Sequence, residues 1–240
     1  EAYKPAVYET LRGIRMPDGI ATYHINGVDY IVTANEGDSR EWGEYLNENE
    51  RNFGKGETSP TGKITAENSG LTGKVVFFDS SDYDGLDSEF DYLFGGRSFT
   101  VFKADEQGLT EIYTSGNEFE AKTAGYELEH FNCSNDNNDI DDRSGKKGVE
   151  AENVTIGNVG EKIYAFIGLE RIGGVMMYDV TNPEKISYAN YINSRDFSAD
   201  IAGDDSPEGL CFISESESVD GNAHLLTACE VSGTVASYEL

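Results

Sequence analysis

A short unit recurs three times along the chain and limits the fold more than any other feature. "YIVTANEG" (30–37), "YAFIGLERIGG" (164–174) and "LLTACEVSG" (225–233) each run a small apolar strand into a Glu and reach a Gly soon after. A second carboxylate stands upstream each time. Asp18 leads Glu36 by 36 − 18 = 18 residues, Glu152 leads Glu170 by 170 − 152 = 18, and Glu208 leads Glu230 by 230 − 208 = 22. The extra residues of the third copy fall in the polar turn "SESESVDGNA". Downstream, "GGRSFTVFKAD" (95–105), "GGVMMYDVT" (173–181) and "SGTVASYEL" (232–240) align as a third strand, and "GLTEIYTSG" (108–116) and "KISYANYIN" (185–193) as a fourth. Runs rich in β-branched and aromatic residues between Gly and Asn turns read as short antiparallel strands, and four-stranded units that repeat are the signature of propeller blades.

The fold class expected is therefore all-β, a single β-propeller region over 1–240 with about three blades. One blade spans 14–116 with an inserted loop at 37–94, one spans 149–193, and a partial one spans 207–240. Residues 4–13 read as a strand of a neighbouring blade, and the insertion as mostly irregular chain packed over the carboxylate-bearing face. Closed propellers have typically about 4 to 8 blades. The remaining blades, or a second chain, are thus the expected partners at the open β edges, where unpaired backbone groups invite a further strand.

Charge narrows the partners. The 45 Asp and Glu against 18 Lys and Arg give −27, which repels phosphate backbones and excludes nucleic acid as a partner. Two readings of the excess stay open: a solubilising surface suited to a salty habitat, or hard-cation binding, since Ca²⁺ takes oxygen ligands and tolerates crowded carboxylates. Three cysteines, Cys133, Cys211 and Cys229, fit no zinc spacing; Cys211 and Cys229 read as small buried thiols, with a bridge between them as the alternative. No segment approaches the ~18 apolar residues of a membrane span.

In an antiparallel pair the start of one strand lies beside the end of the next. Asp18 with Glu36, Glu152 with Glu170 and Glu208 with Glu230 are thus expected as three neighbouring pairs on one face, where they repel unless protonated, bridged by Arg or neutralised by a cation. Hydrogen bonding to turn N–H groups within each blade, metal binding and substrate contact all remain open for them. Asp38 follows Glu36 closely enough to join the set. In the insertion, "DSSDYDGLDSEFD" (79–91) places Asp82, Asp84, Asp87 and Glu89 around Gly85, as calcium loops do. Arg40, Arg97, Arg143, Arg171 and Arg195 fall near the same face, either as partners of carboxylates or, for Arg40, Arg97, Arg171 and Arg195, as clamps on a bound anion. No lysine-lined pocket is legible. The three histidines, His24, His130 and His224, are scattered, and no Ser-His-Asp arrangement is expected from them.

The segments "MPDGIATYHINGVDYIVTANEGDSRE", "GVEAENVTIG", "YAFIGLERIGGVMMYDVTNP", "YINSRDFS" and "SPEGLCFI" resemble the choice-of-anchor I family. That family includes bacterial surface proteins often labelled alkaline phosphatase and mesenchyme-specific cell-surface glycoproteins associated with biomineral skeletons. The resemblance implies a β-propeller, located extracellularly or at the cell surface, with the periplasm as an alternative, of which this chain matches the C-terminal part. Where the family often reads Pro-Glu-Pro-Glu-Gly, this sequence has Val149-Glu150-Ala151-Glu152-Asn153. The expected function is a Ca²⁺-carrying binding or scaffold module of adhesion or biomineral-associated type, recruiting an anionic polymer or mineral. The alternative is a Ca²⁺-dependent phosphoesterase acting through metal-bound water, an expectation drawn from fold analogy.

Overall fold

The computed structural model describes residues 3–240, apart from the side chain of Asp82. Seventeen strands follow in chain order: β1 (Leu11–Gly13), β2 (Ile20–Ile25), β3 (Val28–Asn35), β4 (Glu41–Trp42), β5 (Tyr45–Leu46), β6 (Glu48–Asn52), β7 (Lys74–Phe78), β8 (Asp91–Leu93), β9 (Ser98–Asp105), β10 (Gly108–Thr114), β11 (Ala151–Val159), β12 (Lys162–Leu169), β13 (Val175–Asp179), β14 (Ser187–Ile192), β15 (Pro207–Ile213), β16 (His224–Cys229) and β17 (Thr234–Glu239). Two short α-helices, α1 (Ala66–Ser69) and α2 (Glu118–Tyr126), and three single 3-10 turns interrupt them.

The repeat becomes three sheets. Two are four-stranded and antiparallel, ordered β2-β3-β9-β10 and β11-β12-β13-β14; the third is β15-β16-β17. The β2–β3 hairpin turns on Asn26 and Gly27, both with positive φ (52° and 79°), the geometry a two-residue turn between right-twisted strands demands. The second strands carry the core. Val32 and Ala34 of β3 and Ala165, Ile167 and Leu169 of β12 are buried in one cluster with Phe99, Val101, Met176 and Tyr178.

The first strands of the three sheets lie next to one another, β11 packing against both β2 and β15. Gly19 N–H donates to Glu152 O at 2.9 Å, and a Cβ on Gly19 would come within 2.7 Å of Asn153 Cα. Only a glycine permits that approach. A shared backbone corner precedes each first strand. Met16, Glu150 and Ser206, each two residues before Asp18, Glu152 and Glu208, all take positive φ (34°, 50° and 64°). Their carbonyls accept from the chain at the end of the second strand: Gly37 N, Glu170 N and Glu230 N at 3.2, 2.9 and 2.9 Å. The register then slips between Ala151 and Val154 and between Pro207 and Gly209, a bulge that re-aims the side chain beside it.

The insertion differs from the irregular loop expected. It supplies β6, β7 and β8, which form a second kind of sheet, ordered β1-β8-β7-β6, and β4 and β5, which form a separate ribbon. Residues 4–13, read as a strand of a neighbouring blade, contribute β1, which runs parallel to β8 with Leu11 opposite Asp91. The overlooked signal is the run "KVVFF" at 74–78. Alternate side chains of a strand face opposite ways, and here both faces are covered: Val75 and Phe77 pack with Phe53 and Ile64, while Val76 and Phe78 pack with Tyr92 and Phe94. The three cysteines are free, and Cys211 is exposed rather than buried. Among the described residues no helix is long and apolar enough to cross a membrane.

Candidate functional site

The ends of the repeated strands bring carboxylates from the first two sheets into contact. One oxygen each from Asp18, Glu36 and Glu152 lie within 4.8 Å of one another, and so do one each from Glu36, Glu150 and Glu170. Asp18 and Glu152 open their strands, while Glu36 and Glu170 close the next ones, so the antiparallel hairpins themselves set these neighbours. Glu208 and Glu230 sit at the same end of the third sheet, more exposed, and Asp18 reaches Glu208 electrostatically.

The environment of each carboxyl decides its charge. Burial pushes Glu36 up to about 7, with Asp38 and Glu150 adding to the rise and Lys147 opposing it. Glu152 is raised by burial first and then by Glu36, Glu208, Asp18 and Glu170 around it. Its Oε2 is shut away from solvent without a hydrogen-bond partner. Glu170 is raised by burial and by Glu150, while Arg171 opposes; Asn135 Nδ2 donates to its Oε1 at 2.9 Å. Burial, then Glu230 and Asp18, raise Glu208 as well.

Glu150 is the exception. Its burial is complete and opposes ionisation, yet the hydrogen bonds of Arg171 and the charges of Lys147 and Arg143 hold its carboxyl well below the usual range. Arg171 donates Nη2 to its Oε2 at 2.9 Å, and its Nε lies 2.9 Å from Oε1 as an ion-pair contact. Lys147 Nζ lies 2.8 Å from its Oε2, and Arg143 Nη2 bonds its Oε1. The same ammonium reaches Asp38 at 2.6 Å and Glu36 at 3.2 Å. Neither Glu150 nor Lys147 stood among the sequence-derived candidates. The only sequence signal was the first Glu in "VEAEN", two residues before Glu152.

These cations open onto a cleft of about 390 Å³ between the turn at 143–147 and the ribbon of the insertion, lined by Arg143, Lys146, Lys147 and Arg171 and by Asp38, Glu41 and Glu48. The sequence showed no lysine-lined pocket. The structure builds one, because β4–β5 of the insertion and a loop about a hundred residues later fold against each other.

The remaining candidates lie apart. Asp84 and Asp87 are exposed; Asp87 Oδ1 accepts from Glu89 N at 2.9 Å, and Glu89 itself pairs with Lys63 at 2.6 Å. The side chain of Asp82 lies outside the described residues, and among the described ones this loop gathers no set of three metal-ligating groups. Arg97 bonds Glu120 at 2.6 Å and the carbonyls of Ser144 and Lys146. Arg195 is buried and spends its guanidinium on the carbonyls of Ser134, Arg171, Asn137 and Asp200, with Asp205 at 3.4 Å. Both staple loops. Arg40 stands over the Tyr83 ring at 5.3 Å.

The histidines do bring one surprise. His24 pairs with Asp29 at 2.7 Å, and His130 stacks on Phe197, but His224 contacts Asp220 at 3.0 Å through Nε2 and Ser237 Oγ at 3.4 Å through Nδ1. A Ser-His-Asp line therefore exists where none was expected. It lies on the exposed edge hairpin of the third sheet, and its Ser–His distance is long for a working triad.

The family model of the choice-of-anchor I domain matches residues 3–183. The chain is 26% identical over 208 residues to a mesenchyme-specific cell surface glycoprotein of Strongylocentrotus purpuratus, covering 72% of this chain and 27% of that protein. It is 33% identical over 92 residues to Gigasin-3a of Magallana gigas, covering 36% of this chain and 32% of that one. The chain thus spans about a third or less of the length of each of these relatives. With most of its length inside the matched region, including the inserted sheet, the β2-β3-β9-β10 sheet and strands β11 to β13 of the next, the chain belongs to the choice-of-anchor I family.

Proposed function

We propose that this chain is part of a surface-associated binding module in which the Asp18–Glu36–Glu152 cluster, with Glu170 and Glu208 beside it, holds a hard divalent cation of the Ca²⁺ type. The observation that carries the reading is the electrostatic strain of this cluster: carboxyls from the first two sheets crowd within 4.8 Å, and Glu152 keeps a shielded oxygen with no partner. Ca²⁺ takes about 6–8 oxygens at roughly 2.3–2.6 Å, a demand that carboxylates binding through one or both oxygens, with water, can meet. The extracellular or cell-surface setting rests on the printed name of the sea-urchin relative. The adjacency of β2, β11 and β15 supports a propeller arrangement of the three sheets.

The test is calorimetric titration of the chain with CaCl₂ and with MgCl₂ at matched ionic strength, repeated on Glu152→Gln. Saturable Ca²⁺ binding that Mg²⁺ does not reproduce, lost in the variant, is the expected result. Identical heats for the two salts would sink the reading, because screening depends on ionic strength and not on ion identity.

A further inference from the structure

The cleft beside the carboxylates gathers positive charge in a chain that has little to spare. Four of its 18 Lys and Arg residues, Arg143, Lys146, Lys147 and Arg171, line one cavity of about 390 Å³. Its volume falls within the range of roughly 300–1,000 Å³ usual for ligand pockets. We propose that it binds a compact oxyanion, a single sulfate, phosphate or carboxylate group, with Lys146 as the contact that closes on it. This proposal is independent of the cation reading and survives its failure.

The argument lies in which charges are spent. Arg171 and Lys147 are committed: the first to Glu150 through two nitrogens, the second to Glu150, Asp38 and Glu36. They act as fixed positive walls, oriented from behind by a carboxylate that solvent cannot reach. Arg143 gives one Nη to Glu150, and its Nε is shielded with no hydrogen-bond partner. Lys146 is the least committed. Its ammonium stands 3.6 Å from Glu48, beyond hydrogen-bonding distance, and its side chain is 37% exposed. An incoming oxyanion would find one ammonium with donors to give and guanidinium groups already positioned, the arrangement in which charge-assisted bonds are strongest.

The acidic lining sets the size of the ligand. Asp38 is already taken by Lys147 and by its own turn, Ser39 N donating at 2.6 Å. Glu41 stands on β4 and Glu48 opens β6, 3.6 Å from Lys146, both contributed by the insertion. A long polyanion would meet these two and the −27 of the whole chain, whereas one compact group reaches the cations without crossing them. A metal cation is disfavoured here, since it would have to displace Lys147 or Arg171 from Glu150.

The experiment is calorimetric titration of the chain with inorganic sulfate and inorganic phosphate, with chloride at the same ionic strength as reference, on the native protein, on Lys146→Met and on Lys103→Met. Lys103 lies on β9 and pairs with Asp105 at 3.4 Å, so it controls for loss of one surface charge. The expected result is saturable binding of at least one oxyanion, weakened about tenfold in Lys146→Met and unchanged in Lys103→Met. A sulfated monosaccharide and a phosphomonoester, run as further arms, tell whether the same lysine prefers a free ion or an ester. Heats indistinguishable from chloride, or binding that survives Lys146→Met intact, would overturn the proposal. Circular dichroism of each variant confirms that the fold is retained, and Lys146→Gln serves as a second substitution should Lys146→Met fail to fold.

Discussion

Two carboxylate groups meet at Glu36, and they have opposite electrostatics. In the Glu36–Glu150–Glu170 group, the protein supplies its own cations: Arg143, Lys147 and Arg171 surround Glu150 and hold it ionised although it is fully buried. In the Asp18–Glu36–Glu152 group Lys147 is the only cation among the described residues that touches a member, at 3.2 Å from Glu36, and burial with mutual repulsion drives Glu36 and Glu152 toward the protonated form. Glu150 and Glu152 are two residues apart on the same strand start. What separates the buried, ionised Glu150 from Glu152 is therefore how many cations of the turn at 143–147 and of Arg171 reach it. One group is filled from within, and the other is left for a proton or an external cation.

Substitution should split the two groups most widely. Glu150→Gln leaves Arg171 and Arg143 facing a neutral amide in a buried site, and breaking one side of a buried ion pair costs about 3–5 kcal/mol. Glu152→Gln replaces a carboxyl whose ionisation burial and its neighbours already oppose, so the metal-free protein should hold or gain stability. Urea denaturation of both variants at neutral pH reads the difference. Equal losses would show that the two carboxyls share one environment, contrary to the contacts around them.

Much of this was legible in the sequence, and the limit is physical. The equal 18-residue spacings put Asp18 beside Glu36 because hairpin pairing is local and strand period is fixed, while Glu152 groups with these two and Glu170 with Glu36 and Glu150. The role of Glu150 was hidden, since it depends on a positive φ at that residue and on cations arriving from a loop whose path no local pattern specifies. The parallel pairing of β1 with β8 was hidden for a similar reason: Leu11 and Asp91 meet across 80 residues without a turn to announce them. The strand "KVVFF" was readable from its β-branched and aromatic run but was submerged in an acidic insertion. Arg195, expected near the acidic face, is consumed by loop carbonyls, which composition cannot reveal.

Metal should act on one group only. A ligand that binds the folded state alone at 100 times its dissociation constant adds about 2.7 kcal/mol. The melting temperature should therefore rise in CaCl₂ above its value in MgCl₂ at matched ionic strength, and Glu152→Gln should abolish that difference. Loss of the difference in Lys147→Met, with Glu152→Gln unaffected, would transfer the ion to the Glu150 group.

The pH dependence without metal sharpens the contrast at smaller amplitude. Glu36 rises from the ordinary 4.5 to about 7 in the fold. A carboxyl with a raised folded pKa stabilises the fold below its unfolded value, and this contribution is lost as pH climbs through the folded one. Between about pH 4.5 and 7, stability should therefore fall by an amount on the order of 1–2 kcal/mol once sharing of protons within the cluster is allowed for. Glu150, held low, works the other way: its contribution is present above the unfolded value and is lost as pH drops below the usual carboxylate range. Denaturation midpoints across this range should show a limb that declines toward neutrality and vanishes in Ca²⁺. A midpoint that rises steadily from pH 5 to 7 without metal would mean that the carboxyls of the first group are paired in solution.

The smallest effect belongs to the acidic loop of the insertion, which by composition looked the better calcium site. Asp84 and Asp87 are exposed, and the hydrogen bond that Asp87 Oδ1 accepts from Glu89 N at 2.9 Å is one that an Asn can keep. Exposed substitutions away from caps and networks stay within about 0.5 kcal/mol. The double variant Asp84→Asn with Asp87→Asn should melt within a degree or two of the native chain and retain the full Ca²⁺-over-Mg²⁺ difference. The strand ends and this loop are both rich in carboxylates, but among the described residues only the strand ends bring three of them within 4.8 Å of one another and draw Glu36 and Glu152 partly out of solvent, the crowding that under the cation reading offsets an ion's dehydration. Should the double variant lose the Ca²⁺ difference while Glu152→Gln keeps it, the loop holds the ion, and the crowded carboxyls at the strand ends neutralise themselves by sharing protons.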